Sequence, residues 1–583
     1  MQIAKRGLTV LALWALVSSF GAGAISVHIE QVYLRTHSLY FDHVSYCYYN
    51  ARLYQRWILG ESRWALAWEE WVNNARHPAR TVPLLLLAPR LLAHPMGHMV
   101  TVLPALAVFL FLLGYTIWRR SGSPVYAGGA MLLFCTLPGL YHVTYGLASY
   151  LLDLPAALYI GAGLFCLLWS EGARRRGWLV LFAVLVSWGC LGRWVAGGYA
   201  LVLGGPVLAF YLWRRWREER AFLEAVVVPA LWVGVPVVLL AGWFIVAHWK
   251  ANFDFYLVYG YGLGGTLWGA TLNTARGIVM FFSRKVLLVL SAILLVNLFW
   301  LRARGQDMAQ QVGVVWFAAG HPFLQIPVLH VIRDLHNSNF SVPGLFLAAL
   351  APVRWKEREL CRRWVLWLLG ILLAAGCAAG VHASWAQYQW ALHPSPRQWA
   401  QKELDRTLAR VLAGQDGRIL WLAAFNEYSW IPTMEAFYSA GKLILPAGQD
   451  YFFGNHISMW KGNYPGLKPE QIGPRVYANI KRYVDLVVVF HDPATITGVF
   501  DNPYAEAVAR YLARRVARDP TWRLLEVIPS RRFGPLAVYR NTAPRNQGAY
   551  GKVLRGEALV SPYEERGEGE TSRLTDGGDE DRS

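Results

Sequence analysis

Two aspartates are placed where a membrane-bound chain carries charge only at a cost. Asp42 lies in THSLYFDHVSYCYYNARLYQRW, residues 36–57, just past the first apolar run. Asp153 lies in YGLASYLLDLPAALYI, at the mouth of another apolar run. A carboxylate in a partly dry cavity can take the proton of a hydroxyl or amine as that group attacks. A phosphate leaving group would need cationic donors to take up its charge. Arg276, Arg284, Lys285 and Arg333 are the candidates for that task, with Arg80 and Arg193 behind them. His43, beside Asp42, would tune the carboxylate or help bind the donor. The segment RDLHNSNFSVP, residues 333–343, adds Asp334, His336, Asn337 and Asn339 at the mouth of a span. Arg284 and Lys285 also directly precede a span, where contact with lipid head groups is the commoner use.

The elements that must position these residues are apolar helices. The chain has 583 residues, of which 55 % are hydrophobic and 16 % charged, and its mean hydropathy is +0.28. Soluble chains carry about 25 % charged residues, so this composition belongs in a bilayer. Apolar segments fall at 8–27, 98–118, 124–142, 150–170, 178–192, 198–213, 222–248, 285–301, 311–330, 340–353 and 364–382. Read as spans of roughly 20 residues, they give about eleven crossings. Arg119 and Arg120, Arg174 to Arg176, RRWREER at 214–220 and RWKERELCRR at 354–363 then share one side, the cytoplasmic one. Asp42 and Asp153 fall together on the other side. Residues 44–59 and 61–72 read as amphipathic helices lying on the outer membrane surface, rich in the tryptophan and tyrosine that suit head-group depth.

The net charge of +19 is spread in short clusters between apolar runs, which is a membrane pattern and argues against nucleic-acid binding. Of six cysteines, four sit inside apolar runs and only Cys47 reads as an exposed thiol, so no disulfide framework is expected. No Walker loop, Rossmann fingerprint, H-E-x-x-H motif or G-x-S-x-G elbow is present in a fitting context. Beyond residue 383 the texture changes. Helices at 397–413 and 502–517 and strands at 418–425, 442–447, 484–490, 522–529 and 535–541 predict an α/β domain outside the membrane. The interval 448–480 reads as a long loop, and 551–583 as a disordered tail. The predicted organisation is a membrane core over 1–382 including an external loop at 28–81, a mixed domain over 383–550, and the tail.

FDHVSYCYYNARLY, SYLLDLPAAL at 149–158 and RDLHNSNFSVP together resemble the membrane-embedded glycosyltransferases of the GT-C class that use polyprenyl-phosphate sugars. The bacterial relatives of protein O-mannosyltransferases and lipid A aminoarabinose transferases are the most similar. The resemblance implies a GT-C-like polytopic helical fold with a carboxyl-terminal extracytoplasmic α/β domain in a bacterial inner membrane. It implies Asp42 as the acceptor-activating base or orienter and Asp153 as a supporting carboxylate for acceptor binding or, in some branches, a metal environment, with His43 where the class has a second acid. Asn339–Phe340 stand where Arg–Tyr is common. A divalent cation is the one cofactor that the class brings into question. The expected reaction is a single inverting displacement from a polyprenyl-phosphate-linked sugar onto an extracytoplasmic glycan, lipid or protein. Two other readings compete with it. A polar-lipid or glycan transporter or flippase should show paired inverted repeats and midplane carboxylates. A non-catalytic envelope assembly protein would bind lipid without transferring sugar.

Overall fold

Apolar residues at helical spacing build the first of two compact units, Met1–Arg35 with Ser62–His393; Thr36–Glu61 with Pro394–Ser583 form the second. The computed structural model describes residues 2–38, 41–74, 77–150, 152–253, 267–300, 308–319, 339–350, 359–415, 417–424, 430–441, 443–446, 469–496, 503–543 and 548–555. The helices up to the middle of the chain are α1 (Gln2–Thr36), α2 (Phe41–Ile58), α3 (Arg63–Asn73), α4 (Pro78–Leu87), α5 (Met99–Ser121), α6 (Pro124–Cys135), α7 (Asp153–Trp169), α8 (Arg176–Gly192) and α9 (Val195–Glu219). Then come α10 (Val228–Val237), α11 (Trp243–Phe253), α12 (Leu267–Phe282), α13 (Arg284–Trp300), α14 (Met308–Ala319), α15 (Val342–Leu350) and α16 (Glu359–Leu392).

Among the described residues five helices are long and apolar enough to cross a membrane: Gly7–Thr36, Met99–Ser121, Val195–Glu219, Leu223–Lys250 and Trp364–Leu392. A sixth is made if Ala275–Phe282 and Arg284–Asn297, bent by 91° at Ser283, count as one. The chain is therefore built as a multi-pass membrane protein, but the expectation of about eleven spans is corrected. Local stops explain much of the difference. Gly122, in the left-handed region at φ 69°, ends α5. Ser123 caps α6 by accepting from the Tyr126 N–H, and α6 lasts only 12 residues before the chain meets Pro138. Twelve residues reach about 18 Å along a helix axis, and 17 residues, the length of α7 and of α8, about 26 Å. A hydrocarbon core is about 30 Å thick. The apolar runs at 124–142, 150–170 and 178–192 are packed, short helices. The GT-C-like fold rests on far more spans than these, so that resemblance is overturned as well.

Aromatic side chains fill the core of the first unit. Phe109 and Phe134 lie 4.8 Å apart between ring centroids, Phe134 and Phe346 5.3 Å, and Tyr199 stacks on Phe340 at 4.1 Å. One tight turn leads into α5. A Cβ on Gly97 would fall 1.8 Å from the Leu91 carbonyl oxygen, so only glycine lets the backbone close there and deliver His98 to the helix start.

The second unit continues with α17 (Pro396–Ala413), β1 (Leu420–Ala423), α18 (Trp430–Ala440), β2 (Leu445–Pro446), α19 (Pro469–Tyr483), β3 (Leu486–Phe490), α20 (Pro503–Arg518), β4 (Trp522–Ile528), β5 (Leu536–Asn541) and α21 (Ala549–Arg555). The five strands form one mixed sheet in the order β2-β1-β3-β5-β4. β1 runs parallel to β2 and β3, while β5 runs antiparallel to β3 and β4. Buried polar groups tie its centre. Asp485 accepts from the Leu420 N–H at 2.7 Å, and Asn541 donates to the carbonyls of Lys481 and Val484. Each strand expected from alternation is found. The interval read as a loop at 448–480 is helical from Pro469 onward, and 448–468 lies outside the described residues.

One face of α2, expected as an amphipathic surface helix, is packed within the second unit. Val44, Cys47, Tyr48 and Ala51, one helical stripe, are buried in the second unit. Tyr54 packs edge-on against Phe437 at 6.2 Å, and Arg52 donates to the Leu554 carbonyl. Cys47, expected to be exposed, is 2 % exposed. α3 differs: its Trp64 and Trp68 face outward.

Candidate functional site

Tyr150 is the hub of a buried polar cluster in the first unit, and two pieces of chain bring groups to its ring. The turn from α3 into α4 supplies His77 and Arg80. The Gly97 turn supplies His98. Three residues after Tyr150, the start of α7 carries Asp153, which pairs with Arg193 at the end of α8. The Arg80 guanidinium carbon lies 5.1 Å from the Tyr150 ring centre. The His98 ring centre is 4.4 Å from that of Tyr150, and the edge of His77 approaches at 6.4 Å. Tyr150, His77, Arg80, His98 and Asp153 are all buried.

Helix geometry accounts for the carboxylate. α7 and α8 pack side by side, joined by a short turn, so the first residue of one meets the cap of the other. Arg193 Nε stands 3.0 Å from Asp153 Oδ1. An anion at a helix N-terminus and a cation at a C-terminus each complement the local dipole. The Arg193 N–H meanwhile bonds back to the carbonyls of Gly189 and Cys190, which fixes the root of its side chain.

Below the cluster, Asn74 organises the approach of α4. Its amide donates to Glu70 Oε2 at 2.9 Å and Thr81 Oγ1 at 3.4 Å, and its oxygen accepts from the His77 N–H at 3.1 Å. The first unit thus buries Arg80, His77 and His98 around Tyr150, and holds Asp153 against the partly buried Arg193. Removing a charged pair from water costs several kcal/mol per ion, which good geometry offsets only in part. Charged side chains retained among membrane helices mark sites of function more often than of stability.

A separate cavity of about 590 Å³ in the same unit lies between α1, α6 and α16. Trp14, Ile25, Leu132 and Trp385 give it apolar walls, and His28, stacked on Tyr388 at 5.9 Å, gives it a polar edge.

The sequence-derived candidates are scattered over this framework. Asp153 and Arg193 come together, and Arg80 lies over the Tyr150 ring. Arg276 is exposed on α12, and Arg284 and Lys285 are exposed at the start of α13. Asp42 is in the first turn of α2 in the second unit, and His43 beside it is buried there. Arg333, His336 and Asn337 lie outside the described residues; Asn339, from the same segment, is buried.

The sequence matches no family model and no curated protein. Family comparison therefore lends nothing to the GT-C resemblance that the span count already overturns. Tyr150, His77 and His98 were absent from the sequence-derived set. The only signal for them was polar residues at helix ends, as in LAHPMGH at 92–98. Among the described residues no three His, Cys, Asp or Glu side chains are grouped as metal ligands.

Proposed function

We propose that the protein is a membrane-embedded transferase that takes a sugar from a polyprenyl-phosphate donor and passes it to an acceptor outside the cytoplasm. The observation that carries this reading is the set of charged and polar groups kept among apolar helices: Arg80, His77 and His98 around Tyr150, and Asp153 paired with Arg193. In this reaction the acceptor oxygen or nitrogen forms a bond to the anomeric carbon while the bond from that carbon to phosphate breaks. The sugar inverts, the acceptor proton passes to a carboxylate, and the electron pair leaves with the lipid phosphate. Guanidinium groups in a water-poor site stabilise that charge strongly. Arg193 and Arg80 are the phosphate-facing groups, and Asp153 holds Arg193 in place. Asp42, assigned from the sequence as the acceptor-activating base, belongs to the second unit, and its role is tested on its own. The apolar cavity between α1, α6 and α16 fits the lipid character of the donor. In this reading the amino terminus and the Arg174–Arg176 turn are cytoplasmic, and the second unit is extracytoplasmic in a bacterial inner membrane.

The test is release of polyprenyl phosphate from labelled polyprenyl-phosphate sugars by the purified chain, with membrane extract as acceptor. Arg193→Ala should lower turnover by about 10²-fold or more, the usual loss for one donor to developing charge. Asp42→Asn and Asp153→Asn should each abolish most transfer in folded protein. Wild-type protein that binds the donors without releasing polyprenyl phosphate would overturn the reading in favour of transport or assembly.

A further inference from the structure

We infer that Asp405 is a positioning residue that acts through Ser38 to hold the start of α2. Its bearing on catalysis rests on the reading of Asp42 given above. Asp405 is fully buried in the middle of α17, and three neighbours define it. The Ser38 hydroxyl donates to Asp405 Oδ2, and Gln401 Nε2 donates to Oδ1 at 3.0 Å. Lys402, on the same helix, is paired with Glu435 of α18 rather than with Asp405. Ser38 stands four residues before Asp42, just where the chain enters the second unit. A carboxylate buried at that point has no use as a general base, because nothing outside the fold reaches it. Its use is mechanical: it fixes the segment from which α2 begins.

The strength of the hold depends on charge. An O–H donating to an ionised carboxylate makes a bond about twice as strong as one donating to a neutral acid. Burial pushes the Asp405 carboxyl up to about 7, opposed by the Ser38 bond, with Glu435 raising it further and Gln401 and Lys402 lowering it. The other charged groups nearby are Arg406, which acts on Glu435, and Arg532, which donates to Gln401 Oε1 at 2.7 Å. His37 is on the same segment as Ser38, with its ring nitrogen 2.9 Å from Thr36 Oγ1. Ionised Asp405 grips Ser38, and the grip slackens as pH falls through neutrality.

Hydrogen exchange on the full chain in lipid nanodiscs, at pH 8 and pH 6, tests the hold directly. In wild type, amide protection over the first turns of α2 should be about tenfold lower at pH 6 than at pH 8. Ser38→Ala should show the low value at both pH values, and Asp405→Asn should remove the pH dependence. Ser38→Thr, which keeps the hydroxyl, should retain the wild-type pattern. Equal protection in wild type and Ser38→Ala at pH 8 would overturn the inference, as would a Ser38→Thr variant that behaves like Ser38→Ala. In the transfer assay, wild-type kcat should rise through pH 7. Asp405→Asn should lose that rise, with KM unchanged in both. A wild type without transfer activity refutes the functional reading alone, because the exchange result still decides whether Asp405 holds α2.

Discussion

Asp153 and Asp405 are both almost sealed from solvent, and the two units treat them differently. Asp153 sits at a helix N-terminus against a guanidinium. Asp405 sits in the middle of a helix and is met by a hydroxyl and an amide, while the nearest lysine is engaged with another carboxylate. A full opposite charge compensates an ion, whereas neutral dipoles compensate it only partly. The first arrangement locks a geometry. The second leaves a proton equilibrium open near physiological pH. Burial alone therefore says little about a carboxylate's role, and the identity of its partners says most of it.

The largest effect should come from breaking the compensated pair. Arg193→Met leaves Asp153 buried and unpaired, and should cost about 3–5 kcal/mol in a reversible detergent-denaturation series. Adding Asp153→Leu should restore most of that loss, because removing both charges is far less costly than removing one. If the single variant is as stable as the double, Asp153 and Arg193 are not the closed pair that the comparison requires.

Asp405→Asn should act in the opposite direction and only at high pH. The folded-state value, about 7, is raised above the ordinary 3.8. The folded state thus binds the proton more tightly than the unfolded one. The cost of the buried charge is fully present above pH 7 and fades as pH falls toward 3.8. Asp405→Asn should stabilise the chain by a few kcal/mol, roughly, at pH 8 and by almost nothing at pH 4. Glu435, raised in the same direction by burial, should account for the slope that remains. In wild type this has a distinctive signature. Global stability rises on acidification while protection of the first turns of α2 falls.

The smallest effect should come from charges that compensate each other in water. Arg214 and Glu218 pair at 2.8 Å on the surface of α9, with both side chains more than 40 % exposed. Replacing either with alanine should change stability by less than about 0.5 kcal/mol. A larger change would mean that exposure does not separate this pair from the buried one.

Much of the second unit was legible in the sequence. VDLVVVF and PLAVYRN carry β-branched and aromatic residues between turns, and both form strands. α19 was not legible, because Gly473 and Pro474 interrupt PEQIGPRVYANIKRY and hide its helical spacing. The α2 stripe of Val44, Cys47, Tyr48 and Ala51 shows a further limit. Periodicity reveals that a helix face is dry without revealing whether lipid or protein covers it. The span count failed for a related reason. α6, α7 and α8 are as apolar as spans, and only their caps and lengths set them apart. At the site, Asp153, Arg80 and Arg193 were visible as charges near apolar runs. Tyr150, His77 and His98 were not, since their convergence is made by packing between distant segments.

The second unit takes its pieces from both ends of the chain, and this sets a schedule for its synthesis. Arg52 donates to the Leu554 carbonyl, 502 residues later. At about 5–20 residues per second, a ribosome needs roughly 25–100 s to make that interval. Throughout it, Val44, Cys47 and Ala51 have been translated while most of the chain that buries them has not. The helix that carries Asp42 is among the first pieces made and the last to be sheltered, so holding it out of aggregation falls to whatever meets the nascent chain.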